Sequence, residues 1–271
     1  MNERHFGLPP CACCSKAKPN LCERIAYYGL SEGGGGLASE IVVKWFSCIP
    51  LPDNVPLDVG ALTEPLAVAW HAIRTSGFQK GQTALILGAG PIGLAILMLL
   101  QVWGASGIVV SEVTESRSEQ ARKYGATTVV NPLQSVKQTG SEAGSDVVLD
   151  AVKALDPEGV DVSYDATGMQ STLDTAVAAA KPCGVIFNVA IHEKPLLINL
   201  NDISCSEKRL LGGICYTKED FDGVVKALAS ESIPAKDMIT SRVPLSKVVD
   251  GGFMELINNK ANHIKILIHP D

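Results

Sequence analysis

The chain has 271 residues, of which 46% are hydrophobic and 19% charged, with a formal net charge of −6 at pH 7. This hydrophobic content supports one large or two modest packed domains and excludes a disordered chain or a coiled coil. No run of basic residues is present, so a nucleic-acid partner is not expected.

The beginning of the sequence, MNERHFGLPP, has neither an apolar signal region nor the Arg- and Ser-rich character of a transit peptide. The longest apolar stretch, residues 92–102, contains a Gly and a Gln and is too short to span a bilayer. We therefore expect a cytoplasmic protein that does not bind a membrane. In that compartment, clustered cysteines are more often metal ligands than disulfides.

Residues 1–30 are rich in Pro, Cys, Lys and Gly and predict a loop-like lobe, and residues 33–44 predict a turn that runs into a strand. The spacing of apolar residues predicts a helix over residues 63–77. Short apolar strands then alternate with helices, one of which is predicted over residues 141–154. This alternation predicts an α/β fold with a doubly wound parallel sheet, placed at residues 63–211.

The last part of the sequence predicts four elements after the alternating region. They are a helix in FDGVVKALAS, a strand near MITSRVPL, a helix in SKVVDGGFMELINN and a final strand in IKILIH. We find no internal repeat of the length that builds solenoids or propellers.

A glycine-rich motif, Gly88-Ala-Gly90-Pro91-Ile92-Gly93, follows the apolar strand TALILG and opens the next helix. In a strand–helix–strand unit this spacing is the fingerprint of a dinucleotide-binding Rossmann fold. Gly88 would make the tight turn, Gly90 would let the backbone approach a pyrophosphate, and Gly93 would let the helix pack on the strand. The phosphates would lie at the positive end of the helix. The alternative is a glycine-rich structural turn without a ligand.

An acidic residue is expected about 20 positions after the fingerprint, and Glu112 fills that position at the end of the strand GIVVSE. Its carboxylate would accept hydrogen bonds from ribose hydroxyls and repel a 2′-phosphate, which favours NAD over NADP. Arg117 follows on the next predicted helix and leaves an NADP alternative open. Without a ligand, Glu112 would be a solvated strand end.

The sequence resembles the zinc-dependent medium-chain alcohol and polyol dehydrogenases, in particular the fungal 2,3-butanediol and sorbitol dehydrogenase branch. The stretches that carry the resemblance are ALTEPLAVAWHA, GQTALILGAGPIGLAILMLLQVWGA, DATG, NVAI and GGICYTKEDF, and they cover nearly the whole chain. The resemblance implies a Rossmann domain and a GroES-like β-rich catalytic domain. That second domain would be incomplete, because roughly a hundred residues of the family's usual length are missing before the cysteine lobe.

The resemblance also implies a domain organisation and a reaction. Residues 1–62 would be a remnant of the GroES-like domain, residues 63–211 the NAD-binding domain, and residues 212–271 would complete the Rossmann sheet and return to the catalytic domain. The family's reaction is NAD-linked oxidation of a vicinal diol of the 2,3-butanediol or acetoin type, or of a polyol. A homodimer or homotetramer is expected. The alternatives are a non-catalytic NAD-binding protein and a zinc-free reductase of the same superfamily.

By motif position, the resemblance places the nicotinamide near the backbone of Val189, Gly213 and Cys215. Each of these residues has an alternative interpretation as a residue of the core. The remaining scattered cysteines are typical of small buried hydrophobic residues: Cys48, Cys183 and Cys205.

The family's structural zinc uses four cysteines spaced C-x2-C-x2-C-x7-C, and three cysteines of this chain fall in register: Cys11, Cys14 and Cys22. The position of the remaining ligand is occupied by Leu8, and Cys13 lies out of register. A tetrahedral thiolate site needs four ligands, so Cys13 or His5 would have to supply the fourth. We expect an incomplete structural zinc site.

The family's catalytic zinc takes a Cys and a His-Glu pair that lie upstream of the cysteine lobe. In this chain Glu64 alone matches an acidic residue near that metal. Glu64 would lie in the first turn of a helix, where the helix dipole favours a carboxylate in any case. His71 is expected to be a packed helix residue. Because a catalytic zinc needs about three protein ligands, we expect this chain to turn over diols feebly or not at all.

Overall fold

The computed structural model describes residues 9–31, 33–134 and 146–271. Contacts divide the chain into two units. The first unit contains the chain up to residue 67 together with residues 214–231 and 235–271, and the second contains residues 68–213 and 232–234. These divisions lie close to the predicted boundaries at 62/63 and 211/212, while the GroES-like nature of the first unit stays a prediction.

The second unit contains a six-stranded sheet. Its strands are β1 Thr83–Leu87, β2 Gly107–Ser111, β3 Thr128–Val130, β4 Val160–Asp165, β5 Ala180–Asn188 and β6 Arg209–Gly212. They are ordered β3-β2-β1-β4-β5-β6 and pair in parallel throughout. The strand order reverses between β1 and β4, and this switch point is where doubly wound sheets bind their ligands. The predicted fold class is confirmed.

The described residues form α-helices of very different lengths. They are α1 Leu57–Gly60, α2 Thr63–Ser76, α3 Pro91–Val102, α4 Glu115–Lys123, α5 Val147–Leu155, α6 Gln170–Ala179, α7 Leu200–Ser204, α8 Lys218–Ala229 and α9 Glu255–Asn258. None of the helices in the described ranges is both long and apolar enough to cross a membrane. The helix predicted over 141–154 is observed as α5, and residues 141–145 lie outside the described part.

The core of the second unit covers both faces of the sheet. Strands β1 and β2 are buried at every position, as expected for a parallel sheet between two layers of helices. On one face, Leu85 and Leu87 cluster with Val148 and Val152 of α5. Helix α3 is buried over residues 93–100, so an almost wholly apolar helix carries the glycine-rich motif. This packing fixes the carboxyl end of β1 relative to the start of α3.

Two sequence predictions in the first unit were wrong in detail. Residues 37–44 form no strand, because no described segment pairs with them and an unpaired strand is not stable. The helix predicted in SKVVDGGFMELINN is interrupted. It consists of a 3₁₀ turn at Leu245–Lys247, a π-helix at Val248–Met254 and the short α9. The adjacent Gly251 and Gly252 weaken regular α-helix at this point.

The C-terminal segment forms strands β7, Ile239–Pro244, and β8, Lys265–His269, which pair with each other in parallel. The segment predicted to complete the Rossmann sheet, residues 212–271, contributes only Gly212 to the six strands. The sheet is therefore completed by β6, which begins three residues earlier, at Arg209.

Candidate dinucleotide-binding site and cysteine cluster

The glycine-rich turn after β1 has the geometry that its three glycines predict. Gly88 adopts a left-handed φ of 94°, and a Cβ there would lie 2.5 Å from Thr167 Oγ1. A Cβ on Gly93 would collide with the carbonyl oxygen of Gly88. In contrast, a Cβ on Gly90 would meet no atom within 4 Å. Gly88 and Gly93 are thus required by packing, whereas Gly90 faces open space that a ligand can enter.

The start of α3 offers hydrogen-bond donors beside that space. Gly90 caps the helix, Pro91 is its first residue, and Leu94 N–H donates to Gly90 O at 2.9 Å. In the first turn of any α-helix the N–H groups have no intrahelical acceptor, and here they belong to Ile92 and Gly93. Together with the helix dipole, these donors make a site suited to a phosphate.

Glu112 lies just past the end of β2 and is 5% exposed. Its Oε2 accepts the N–H of Ala89 at 2.7 Å. Its Oε1 accepts the N–H groups of Val113 at 2.9 Å and Thr114 at 2.8 Å. A carboxylate offers about four lone-pair positions, so about one remains for a ribose hydroxyl. Arg117 lies half-buried on α4, which begins three residues after Glu112.

Asp165 organises the loop that follows β4. It is 0% exposed, and its carboxylate accepts the N–H of Thr167 at 2.9 Å, the N–H of Gly168 at 3.1 Å and the hydroxyl of Thr172 at 3.1 Å. The Thr167 hydroxyl donates to Leu87 O at 2.9 Å, at the end of β1. No role was predicted for Asp165 from the sequence. The sequence does contain a signal, because the stretch Asp165-Ala-Thr-Gly168 after a buried strand is typical of a turn that an Asp side chain caps.

The predicted nicotinamide residues fall on two neighbouring strand ends and on the other unit. Val189 follows β5, and its N–H donates to Asp165 O at 3.0 Å. Gly213 follows β6, and its N–H donates to Asn188 O at 3.2 Å. Cys215 belongs to the first unit, where it has a φ of 56° and its sulfur lies 3.0 Å from Tyr27 Oη. The predicted roles of all three residues stay predictions.

The cysteine cluster forms as its spacing predicts. The sulfur atoms of Cys11, Cys14 and Cys22 all lie within 4.8 Å of one another. Tetrahedral zinc with Zn–S bonds of about 2.3 Å requires sulfurs about 3.8 Å apart, so a small contraction would suit the metal. Cys13 does not belong to the cluster. Leu8 and His5 lie outside the described residues.

The surroundings of the cluster shift the pKa values of Cys11 and Cys14 in opposite directions. Backbone N–H groups of Cys14 and Glu23 lower the pKa of Cys11 to about 6. Burial and the two neighbouring sulfurs raise the pKa of Cys14 to about 12. A cation would remove the repulsion that prevents the thiols from ionising together. The residues present therefore fit three of the four ligands of a structural zinc.

Glu64 lies in the first turn of α2, as predicted, with an exposed side chain. The chain around it still desolvates the carboxyl group enough to raise its pKa, against the opposing positive charge of Lys265. Within the described ranges, no group of three potential metal ligands forms around Glu64. The residues present therefore do not fit a catalytic zinc. His71 is buried on α2, as expected for a packed helix residue. The prediction that the scattered cysteines are buried was wrong, because Cys48, Cys183 and Cys205 are all exposed.

A parallel sheet in the order β3-β2-β1-β4-β5-β6 with a glycine-rich turn at its switch point defines a dinucleotide-binding Rossmann domain. A family model described as zinc-binding dehydrogenase matches residues 91–230. The (R,R)-butanediol dehydrogenase of Saccharomyces cerevisiae is 38% identical over 274 residues, which cover 100% of this chain and 70% of that protein. The chain belongs to the zinc-binding dehydrogenase family, as the resemblance predicted.

Dehydrogenases of known structure are similar to this chain, two of them as follows. The crystal structure of 2R,3R-butanediol dehydrogenase from Bacillus subtilis has a TM-score of 0.79 at 31% identity, covering 93% of this chain and 69% of that one. A zinc-binding dehydrogenase from Sinorhizobium meliloti 1021 bound to NADP has a TM-score of 0.82 at 27% identity, covering 96% of this chain and 73% of that one. Both similarities extend over nearly the whole of this chain and about seven-tenths of the relatives.

Proposed function

We propose that the chain binds NAD on the glycine-rich turn and belongs to a cytoplasmic oxidoreductase that acts on a vicinal diol or a polyol. One observation carries the proposal: there is open space at Gly90, the residue that caps α3, while the preceding residue, Ala89, is bonded to the buried carboxylate of Glu112. A bound nicotinamide supplies the hydride acceptor. The names of the relatives, butanediol and sorbitol dehydrogenases among them, support the substrate class.

In this proposal each part of the site has a distinct task. The N–H groups of Ile92 and Gly93 hold the pyrophosphate, and the free position of Glu112 accepts a ribose hydroxyl. The backbone near Val189 and Gly213, both in the second unit, would orient the nicotinamide. The negative charge of Glu112 disfavours a 2′-phosphate, so we expect NAD to bind more tightly than NADP. Arg117 is the residue that would reduce this preference.

The potential metal ligands around Glu64 favour a second candidate function, NAD binding without catalysis. Within the described residues, Glu64 belongs to no group of three potential metal ligands, so these residues do not form a catalytic zinc site. We expect feeble turnover of diols, and a non-catalytic NAD-binding role is the alternative. The homodimer or homotetramer implied by the resemblance also remains a proposal.

Binding of NADH to the purified chain tests the proposed function. Gly90→Ala adds a methyl group into the open space, and we expect it to fold like the wild type while binding NADH at least about tenfold more weakly. Gly36→Ala is the matched control, since its added Cβ also meets nothing within 4 Å but lies in the first unit. A wild-type chain that fails to bind NADH, or a Gly90→Ala variant with unchanged affinity, would overturn the proposal.

Turnover separates the two candidate functions. The chain is assayed with NAD and 2,3-butanediol, with zinc supplied, under conditions where NADH binding has been shown. Robust turnover would contradict the expected impairment and support the dehydrogenase. Tight NADH binding without turnover would support the non-catalytic role.

A further inference from the structure

The imidazole ring of His192 connects the two loops that follow β4 and β5. Its Nδ1 lies 3.2 Å from the carbonyl oxygen of Gly168, in the first loop. Its Nε2 lies 2.9 Å from Oδ1 of Asn188, at the end of β5. A Cβ on Gly168 would lie 3.3 Å from the ring, so the ring packs directly against this glycine. All these residues belong to the second unit.

Both ring nitrogens of His192 face oxygen atoms that can only accept. The Gly168 oxygen is a backbone carbonyl. The orientation of the Asn188 amide is determined by its other end, where Nδ2 donates to Ala190 O at 2.9 Å. A neutral imidazole carries one N–H, whereas the imidazolium carries two. The protonated ring therefore satisfies both oxygens, and the neutral ring satisfies only one.

The segment enclosed by these bonds contains Val189. The side-chain amide of Asn188 donates a hydrogen bond to Ala190 O, so the residues on either side of Val189 are linked. The N–H groups of Val189 and Ala190 donate to Asp165 O at 3.0 and 3.3 Å. His192 thus closes a ring of hydrogen bonds around a residue that the resemblance places against the nicotinamide. Nothing in the sequence pattern identified this histidine.

The charged groups near His192 are few on the loops that meet at the ring. On the loop after β4, the carboxylate of Asp165 is already taken by the donors of Thr167, Gly168 and Thr172. On the loop after β5, Glu193 and Lys194 are next in the chain and both are exposed. Exposed charges are screened by solvent, so Glu193 and Lys194 are expected to have little effect on the contacts of the ring.

We propose that His192 is a positioning residue, whose ring joins the loops after β4 and β5 and thereby holds Val189 in place for the nicotinamide. This inference rests on the proposed binding of NAD. It predicts that NADH binds more tightly when the ring carries both protons. Because histidine is the side chain that ordinarily changes charge between pH 5 and 8, affinity should fall as the pH rises across that range.

The test compares NADH binding by the wild type and His192→Gln at pH 6 and pH 8. Glu193→Gln is the matched control, because it changes the adjacent exposed residue and leaves the ring in place. We expect the wild type to bind about fivefold more tightly at pH 6 than at pH 8, the effect of about one hydrogen bond. His192→Gln should bind about as weakly at both pH values as the wild type does at pH 8, and Glu193→Gln should follow the wild type.

Each other result has a distinct meaning. If the wild type binds NADH and His192→Gln has the same affinity and pH dependence, the inference is wrong and the proposed function stands. If neither protein binds NADH at either pH, the proposed function is wrong and the inference falls with it. A ring that shows a single N–H at pH 6 by nitrogen NMR, with its signal identified by its loss in His192→Gln, would also overturn the inference.

Discussion

The carboxylate of Glu112 accepts the backbone N–H of Ala89 at 2.7 Å, so the end of β2 holds the glycine-rich turn that follows β1. The same carboxylate accepts the N–H groups of Val113 and Thr114. The residue expected to bind the ribose is therefore also a structural support of the phosphate-binding turn. The Glu112 side chain is thus expected both to contact the ligand and to anchor the loop.

Replacement of Glu112 should affect both tasks. Glu112→Gln removes the negative charge and places an amide donor where backbone N–H groups need acceptors, so we expect the free energy of unfolding to fall by about 1–3 kcal/mol. Affinity for NADH should fall about tenfold, while affinity for NADPH should fall less, because the repulsion of a 2′-phosphate is also removed. Binding titrations with both nucleotides and urea denaturation provide the measurements.

Glu115→Gln is the control for this change. Glu115 pairs with Arg122 at 2.9 Å, but both side chains are more than half exposed, and such pairs contribute little. Unchanged stability and unchanged nucleotide preference in Glu112→Gln would contradict the double role.

The three clustered cysteines should bind one thiophilic divalent cation per chain if a group other than Cys13 completes the coordination, since they provide only three of the four ligands. We expect purified wild-type chain to retain zinc under reducing conditions, and Cys22→Ser to lose it, since Cys22 is one of the three clustered sulfurs. Cys13→Ser should retain the metal, because Cys13 lies outside the cluster. Zinc content by elemental analysis is the measurement. Since binding displaces protons from the thiols, affinity should fall as the pH is lowered. Equal zinc content in the two variants would argue against the cluster.

A half-buried ion pair should make stability depend on pH at both ends of the scale. Burial acts to raise the pKa of Asp161, but the Lys181 ammonium and the Thr83 donors prevail and lower it. The hydrogen bond to Asp161 raises the pKa of Lys181. The stability from the lowered carboxyl pKa is present above its unfolded value near 3.8 and is lost as the pH falls through the folded value.

The pH dependence of stability that comes from Lys181 has the opposite sign. Its contribution is complete below the unfolded pKa near 10.5 and is lost as the pH rises through the raised folded value. Asp161→Asn should therefore cost about 2 kcal/mol near pH 7 and progressively less below pH 4. Urea denaturation of both proteins at several pH values measures the difference, and a difference that does not shrink in acid would refute the assignment.

A buried hydroxyl pair joins α2 to the sheet. Ser76 Oγ lies 2.9 Å from Tyr164 Oη and also donates to Ile73 O at 2.8 Å. Burial raises the pKa of Tyr164, although the bond to Ser76 opposes this. Tyr164→Phe should cost about 1 kcal/mol, because Ser76 keeps its second partner. Ser76→Ala should cost about 2 kcal/mol, because it leaves a buried hydroxyl without that partner.

A double-mutant cycle tests this pair. The combined variant should cost less than the sum of the single changes, because the tyrosine hydroxyl that Ser76→Ala orphans is absent. Strictly additive costs would show that the two hydroxyls are not coupled.

Local patterns in the sequence were sufficient for the framework of the second unit. Apolar runs and glycine punctuation predict the strands and helices around Gly88, Gly90 and Gly93, because burial on both faces of a parallel sheet leaves a signature in consecutive residues. The position of Glu112 follows from the fixed length of a strand–helix–strand unit. The register of Cys11, Cys14 and Cys22 is likewise a property of spacing, and their sulfurs do converge.

Other features depended on partners that the sequence does not place. Residues 37–44 were predicted as a strand but form none, because no described segment pairs with them. The pattern of residues along one segment does not show whether a second strand lies beside it. The three hydrogen bonds of Glu112 became visible only with the folded loop. His192 meets the carbonyl of Gly168, 24 residues away, because β4 and β5 are adjacent in the sheet. Periodicity records whether a residue is buried, whereas hydrogen-bond partners are chosen by the order in which strands assemble, and only the tertiary structure decides that order.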